Sequence, residues 1–169
     1  MATKIARYLY ETEVISVLLY NSETWTLSSA EKKFLDQIEL HAWKKLIGLP
    51  NTTPTAGIIH TMGSLFPSVR VEQKQLIFLQ KGLQRNDEHW TKATLIAMKE
   101  KNVGWAEQLD SVLEKWELET VWENMKNKRK KEWNQLVRAA AEKANVTKLK
   151  EECETKNRMK PRLRQNLHI

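Results

Sequence analysis

The chain predicts an all-α fold, a layered assembly of several helices, and three observations carry that expectation. Apolar residues recur at three- and four-residue spacing along most of its length, and no stretch shows useful strand alternation. Gly, Pro and capping residues fall where one helical stripe ends and the next begins. At 169 residues, 41% hydrophobic and 29% charged, the chain is long enough for one ordinary core or two small ones and has a soluble, folded composition. Seven tryptophans add a demand, since each needs burial or a bound partner.

In chain order, Ile5, Leu9, Thr12, Ile15 and Leu19 mark a first helix. Val14, Val17 and Leu18 make its last two turns apolar nearly all round, as in a buried helix. Ser28-Ser29-Ala30-Glu31 reads as a capping box opening a second helix. Its stripe is Phe34, Leu35, Ile38, Ala42 and Leu46, and Gly48 and Pro50 end it. Thr53-Pro54 predicts a short helix over 54–61, and Gly63 and Pro67 punctuate the next connection. Beyond it Val69, Leu76, Leu79 and Leu83 share one side of a helix, with Phe78 opposite, so two neighbours are needed.

Asp87-Glu88 predicts the acidic start of a helix carrying Trp90, Leu95 and Met98, broken at Asn102-Val103-Gly104. Trp105, Leu109, Val112, Leu113 and Trp116 form the next stripe, with Leu118, Trp122 and Met125 following without an evident break. Trp133, Leu136, Val137, Ala140 and Ala144 have the cleanest helical spacing, with Lys131 and Arg138 opposite them. Thr147 is the expected cap of a further helix through Leu149 and Cys153. The segment from Lys156 to Arg164 offers charge but little to bury, predicting a loosely ordered tail unless bound.

A single cysteine, Cys153, leaves no internal disulfide or Cys-rich zinc module, which points to a reducing compartment, nuclear or cytoplasmic. No apolar run approaches the ~18 residues of a membrane span, and the N-terminus lacks a signal-peptide core. The net charge of +7 is unevenly placed. Residues 1–125 hold 14 basic against 16 acidic side chains, whereas residues 126–169 hold 14 against 5. Clustered cations of this kind suit a polyanionic partner.

The run Leu18-Leu19-Tyr20-Asn21-Ser22-Glu23-Thr24-Trp25-Thr26-Leu27 closes the first helix with an ordered mix of aromatic and carboxylate groups. It resembles the LLYGSETW signature that follows the polymerase core in reverse transcriptases of non-LTR (LINE-type) retrotransposons. The resemblance continues through Lys45-Leu46-Ile47-Gly48-Leu49-Pro50, Thr52-Thr53-Pro54-Thr55, Gly63-Ser64-Leu65-Phe66-Pro67 and Gln75-Leu76-Ile77-Phe78-Leu79. The family carries Gly where Asn21 stands, and Asn tolerates the positive φ such a turn wants.

The resemblance implies a thumb-side segment over residues 1–65 and a helical C-terminal extension over 66–169, basic from about 126. It also implies that chemistry lies elsewhere, because the family's metal-holding aspartates sit on a Tyr-x-Asp-Asp hairpin in the palm and this chain has no Asp-Asp pair. The expected work is therefore non-catalytic and without a cofactor of its own. The chain would hold an RNA template and DNA primer, or target DNA, beside the palm of the parent polymerase.

Each candidate site has a plainer interpretation. His41, His60, His89 and His168 do not pair with one another or with Cys153 at metal-ligand spacing, and His41 reads as a hydrogen-bonded border residue. Glu23, between Tyr20 and Trp25, is expected to accept backbone amides or pair with a Lys or Arg, locking the turn. Trp43, Trp116, Trp122 and Trp133 read as core, whereas Trp90 and Trp105 are open to a role as stacking platforms, with packing favoured.

Lys126, Lys128, Arg129, Lys130 and Lys131 place five cations in six positions, and Arg138, Arg158, Lys160, Arg162 and Arg164 extend them. Phosphate-backbone contact is the functional interpretation, without base specificity. A solvated face or a nuclear-import signal is the plain one. The competing role for the whole chain is a truncated or domesticated protein-interaction module docking on an apolar surface such as the Phe78 side.

Overall fold

In the computed structural model, which describes residues 2–118, 120 and 122–155, every regular element is helical. Helix α1 (Ala2–Leu9) runs through a π-helical turn (Tyr10–Ile15) into the short α2 (Ser16–Leu18), and a 3-10 turn (Ser22–Thr24) follows. Then come α3 (Ser29–Ile47), α4 (Thr55–Met62), α5 (Pro67–Leu83), α6 (Trp90–Lys101), α7 (Trp105–Lys115), α8 (Trp122–Asn127) and α9 (Lys130–Thr155). None is long and apolar enough to cross a membrane.

Helix α5 is the hub, packing against α3, α6, α7, α8, α9 and the 3-10 turn. Pro67 begins it, and Val69, Leu76, Leu79 and Leu83 are buried along the expected stripe. Phe78, half-buried, meets Trp105 edge to face, ring centroids 5.9 Å apart, so α7 packs against the second apolar side. Gly82 lets α6 approach closely, since a Cβ there would collide with Leu95. Core residues from Tyr10 to Ala141 form one continuous cluster.

The N-terminal helix is one-sided where an all-round apolar helix was expected. Tyr10, Ile15 and Leu19 are buried, while Ile5, Leu9, Val14 and Val17 face outward. The π turn is the reason. Residues five apart on an α-helix point about 140° apart, and a wider turn swings Ile15 back onto the side of Tyr10.

Helix α3 differs similarly. Its capping box is present, with Ser28 Oγ accepting from the Glu31 amide and Glu31 accepting from the Ser28 amide, and Gly48 caps its end at φ +69°. Yet Phe34, Ile38 and Leu46 are exposed and Ala42 is half-buried, whereas Leu35, Asp36, Glu39, Leu40 and Trp43 point inward. Two carboxylates on the buried face are invisible to hydrophobic periodicity. They are tolerated because partners on α5 and α9 and within α3 meet them.

Several boundaries move. The short helix is Thr55–Met62, one residue later than expected. Asp87 and Glu88 lie before α6, and His89 is the cap, its Nδ1 accepting from the Thr91 amide. Glu117 takes a left-handed conformation at φ +55° and the Leu118 amide bonds back to the Leu113 carbonyl at 2.9 Å, ending α7 and separating it from Trp122 and Met125. Thr147 caps nothing, since α9 runs unbroken past it and its hydroxyl donates to the Lys143 carbonyl. On α9 the buried side is Trp133, Val137 and Ala141, and Leu136 is exposed.

Candidate nucleic-acid interface

The basic cluster spans the junction of α8 and α9. Lys126 lies in the last turn of α8, Lys128 and Arg129 form the connection, and Lys130 and Lys131 open α9. All are exposed except the half-buried Lys128, and Arg138 is exposed further along α9. The connection is not loose. Gln80 Nε2 donates to the carbonyls of Met125 (3.3 Å) and Lys128 (3.1 Å), and Gln84 Nε2 to those of Lys126 (3.4 Å) and Lys128 (3.0 Å). Two glutamines one turn apart, Gln80 on α5 and Gln84 capping its end, thus hold the loop by its backbone and leave the cationic side chains outside.

Helix α9 is itself anchored under the loop. Trp133 is fully buried and its indole N–H donates to the Leu76 carbonyl of α5 at 3.0 Å. Lys130 and Lys131 sit at the positive end of the α9 dipole, where cations are disfavoured and only Glu132 offsets them. None of Lys128, Arg129, Lys130, Lys131 or Arg138 forms an ion pair among the described residues. Arg158, Lys160, Arg162 and Arg164 lie outside the described residues.

Beside the loop stands the start of α6. Lys92, itself buried, pairs with the exposed Asp87, and Lys92 first and Lys126 second hold the Asp87 carboxyl below its usual range. Trp90 is 73% exposed and stacks against the His89 ring, centroids 5.9 Å apart and planes 26° apart. Trp105, the other candidate platform, is buried, and so are Trp43, Trp116, Trp122 and Trp133.

The signature turn is locked by its carbonyls. Asn21 adopts the left-handed conformation at φ +55° that the turn requires. Lys74 Nζ donates to the Leu19 carbonyl (2.7 Å), Gln75 Nε2 to that of Trp25 (2.6 Å), Trp105 Nε1 to that of Glu23 (3.0 Å) and Gln108 Nε2 to that of Leu27 (2.6 Å). Helices α5 and α7 therefore grip the turn from two sides. The Glu23 carboxylate makes no hydrogen bond or ion pair among the described residues, contrary to the expected lock. Tyr20 is 80% exposed and Trp25 half-buried.

Interior charges behave differently from the loop. Asp36 accepts from the Ser68 amide (2.9 Å), which opens α5, from the Ser68 hydroxyl (3.0 Å) and from Lys148 of α9. Glu72 pairs with Lys32 at 2.7 Å and Lys115 at 3.8 Å. Lys143 pairs with Glu117, so the lysines lining the cleft of about 400 Å³ between α5, α7 and α9 are all paired. Glu39 is fully buried and accepts from the Trp43 indole at 3.1 Å, its second oxygen having no partner among the described residues. Burial pushes its carboxyl up to about 7, against the pull of Arg70 and of the Trp43 N–H.

His41 is exposed and makes no hydrogen bond among the described residues, so it is not the bonded border residue expected. No group of three His, Cys, Asp or Glu side chains among the described residues is placed to hold a metal. Comparison with family models, with curated proteins and with solved structures finds no match to this chain.

Proposed function

We propose that the chain is the non-catalytic, nucleic-acid-holding part of a retrotransposon RNA-directed DNA polymerase. Residues 1–65 would serve as the thumb-side segment and residues 66–169 as its helical extension. The supporting observation is the loop at Lys126–Lys131. Its cations at 128–131 are unpaired among the described residues, its backbone is held by Gln80 and Gln84, and its position at the start of α9 works against helix stability. A fixed concentration of positive charge that, at 128–131, forms no ion pair among the described residues suits phosphates, which it would neutralise with release of counterions. The parent palm would be the second partner.

Binding to an RNA/DNA hybrid across a salt series tests this role. Affinity should fall steeply with salt, by about 0.9 log unit per log unit of salt for each phosphate neutralised. Arg129→Ala should lower that slope by about one and weaken different sequences alike. Salt-insensitive binding, or no binding, would overturn the proposal.

A helical protein-interaction module is the second reading, and the outward-facing Tyr8, Leu9, Val17, Tyr20 and Phe34 favour it. It predicts a partner complex with weak salt dependence that is lost on Val17→Lys and kept when the basic loop is neutralised.

A further inference from the structure

Trp90 is the one tryptophan among the described residues that lies mostly in solvent, and its setting is rigid. The His89 ring beside it is fixed as the cap of α6 through the Thr91 amide (3.2 Å). The same end of α5 carries both this platform and the basic loop. Gln84 holds the Lys126 and Lys128 carbonyls, and Asp87, three residues on, lies between Lys92 and Lys126. An exposed indole, a stacked imidazole and cations with no ion pair among the described residues thus lie at the same end of α5. Duplex phosphates alone would need only the cations, since bases stacked on both sides inside a duplex offer no face to an indole.

We infer that Trp90, supported by His89, is a base-stacking platform, so that this surface takes unpaired nucleotides, as in a single strand or the frayed end of a hybrid. The inference rests on the nucleic-acid role proposed for the loop. The cations grip the backbone while an unpaired base lies on the indole, a combination indifferent to base identity.

Wild type, Trp90→Ala and Trp90→Phe are titrated with a single-stranded oligonucleotide about ten nucleotides long and with a blunt RNA/DNA hybrid of equal length. Wild type should prefer the single strand, with quenching of indole fluorescence. Trp90→Ala should weaken single-strand binding roughly 5- to 150-fold while changing hybrid binding less than about twofold, and Trp90→Phe should recover much of the loss. Because the side chain is exposed, urea melts of all three should coincide. Equal single-strand affinity of wild type and Trp90→Ala overturns the platform and leaves the loop's role standing. Equal loss on both probes also overturns it, since stacking is then not what was removed. No binding of either probe by wild type removes the loop's role and the platform with it.

Discussion

The interior around Asp36 and the surface loop at Lys126–Lys131 are both rich in charge, and they put it to opposite uses. Asp36 joins α3 to the start of α5 and to Lys148 of α9, and Glu72 joins α5 to Lys32 and Lys115. The cations at 128–131 meet no carboxylate among the described residues, although Gln80 and Gln84 hold the peptide beneath them. Charge that is desolvated and paired across helices fixes geometry, and removing one partner leaves an uncompensated ion. Charge presented on a fixed backbone, with no ion pair among the described residues, is available to a polyanion such as the one proposed above.

The sharpest way to break this contrast is at its mechanical base. Trp133→Ala removes the fully buried indole that seats α9 on α5, and should cost about 3–5 kcal/mol in urea unfolding. A melt like the parent's would mean that the loop lacks the anchored helix described here. Asp36→Ala should come next, at about 3 kcal/mol, the low end for a broken buried pair because Lys148 keeps some contact with water.

Acidity sharpens the interior half of the comparison. The Glu39 carboxyl is raised from 4.5 to about 7 by burial, so the folded state binds the extra proton between those values. Its contribution is fully present below about pH 4.5 and is lost as pH rises through 7, on the order of 3 kcal/mol. Unfolding free energies at pH 5 and pH 8 check this, and Glu39→Gln should flatten the difference. An unchanged slope in that variant would assign the titration to another group. Smallest of all should be Arg129→Gln, which should shift stability by less than about 0.5 kcal/mol because its side chain is exposed and makes no ion pair among the described residues.

Much of the fold was legible in the residues themselves. The Ser28–Glu31 box, the Gly48 cap, Pro67 at the start of α5 and the stripe Val69, Leu76, Leu79 and Leu83 are local signals whose physics is complete within a few residues. Misplaced features depended on side-chain partners and backbone geometry that hydrophobic spacing does not register. Asp36 and Glu39 turn inward because Ser68, Lys148 and Trp43 receive them, and Ile15 is buried because a π turn rotates it. Of the candidate interface, the cations at 126–131 stand out by density alone. The glutamines that hold them do not, since Gln80 and Gln84 look like ordinary polar positions until α8 is packed beside α5. Trp90 and Trp105 looked alike as possible platforms, and only the packing of α7 on Phe78 buries Trp105 while Trp90 stays exposed.

If the loop's charge serves a partner and not the fold, as proposed, one variant shows both halves. Lys126, Lys128, Arg129, Lys130 and Lys131 are replaced together by glutamine, and urea unfolding and hybrid affinity at low salt are measured on the same preparation. Stability should hold or rise by a few tenths of a kcal/mol, because cations leave the positive end of α9. Affinity should collapse, and its dependence on salt should flatten. Unfolding at much lower urea, or hybrid binding as tight as the parent's, would contradict the account.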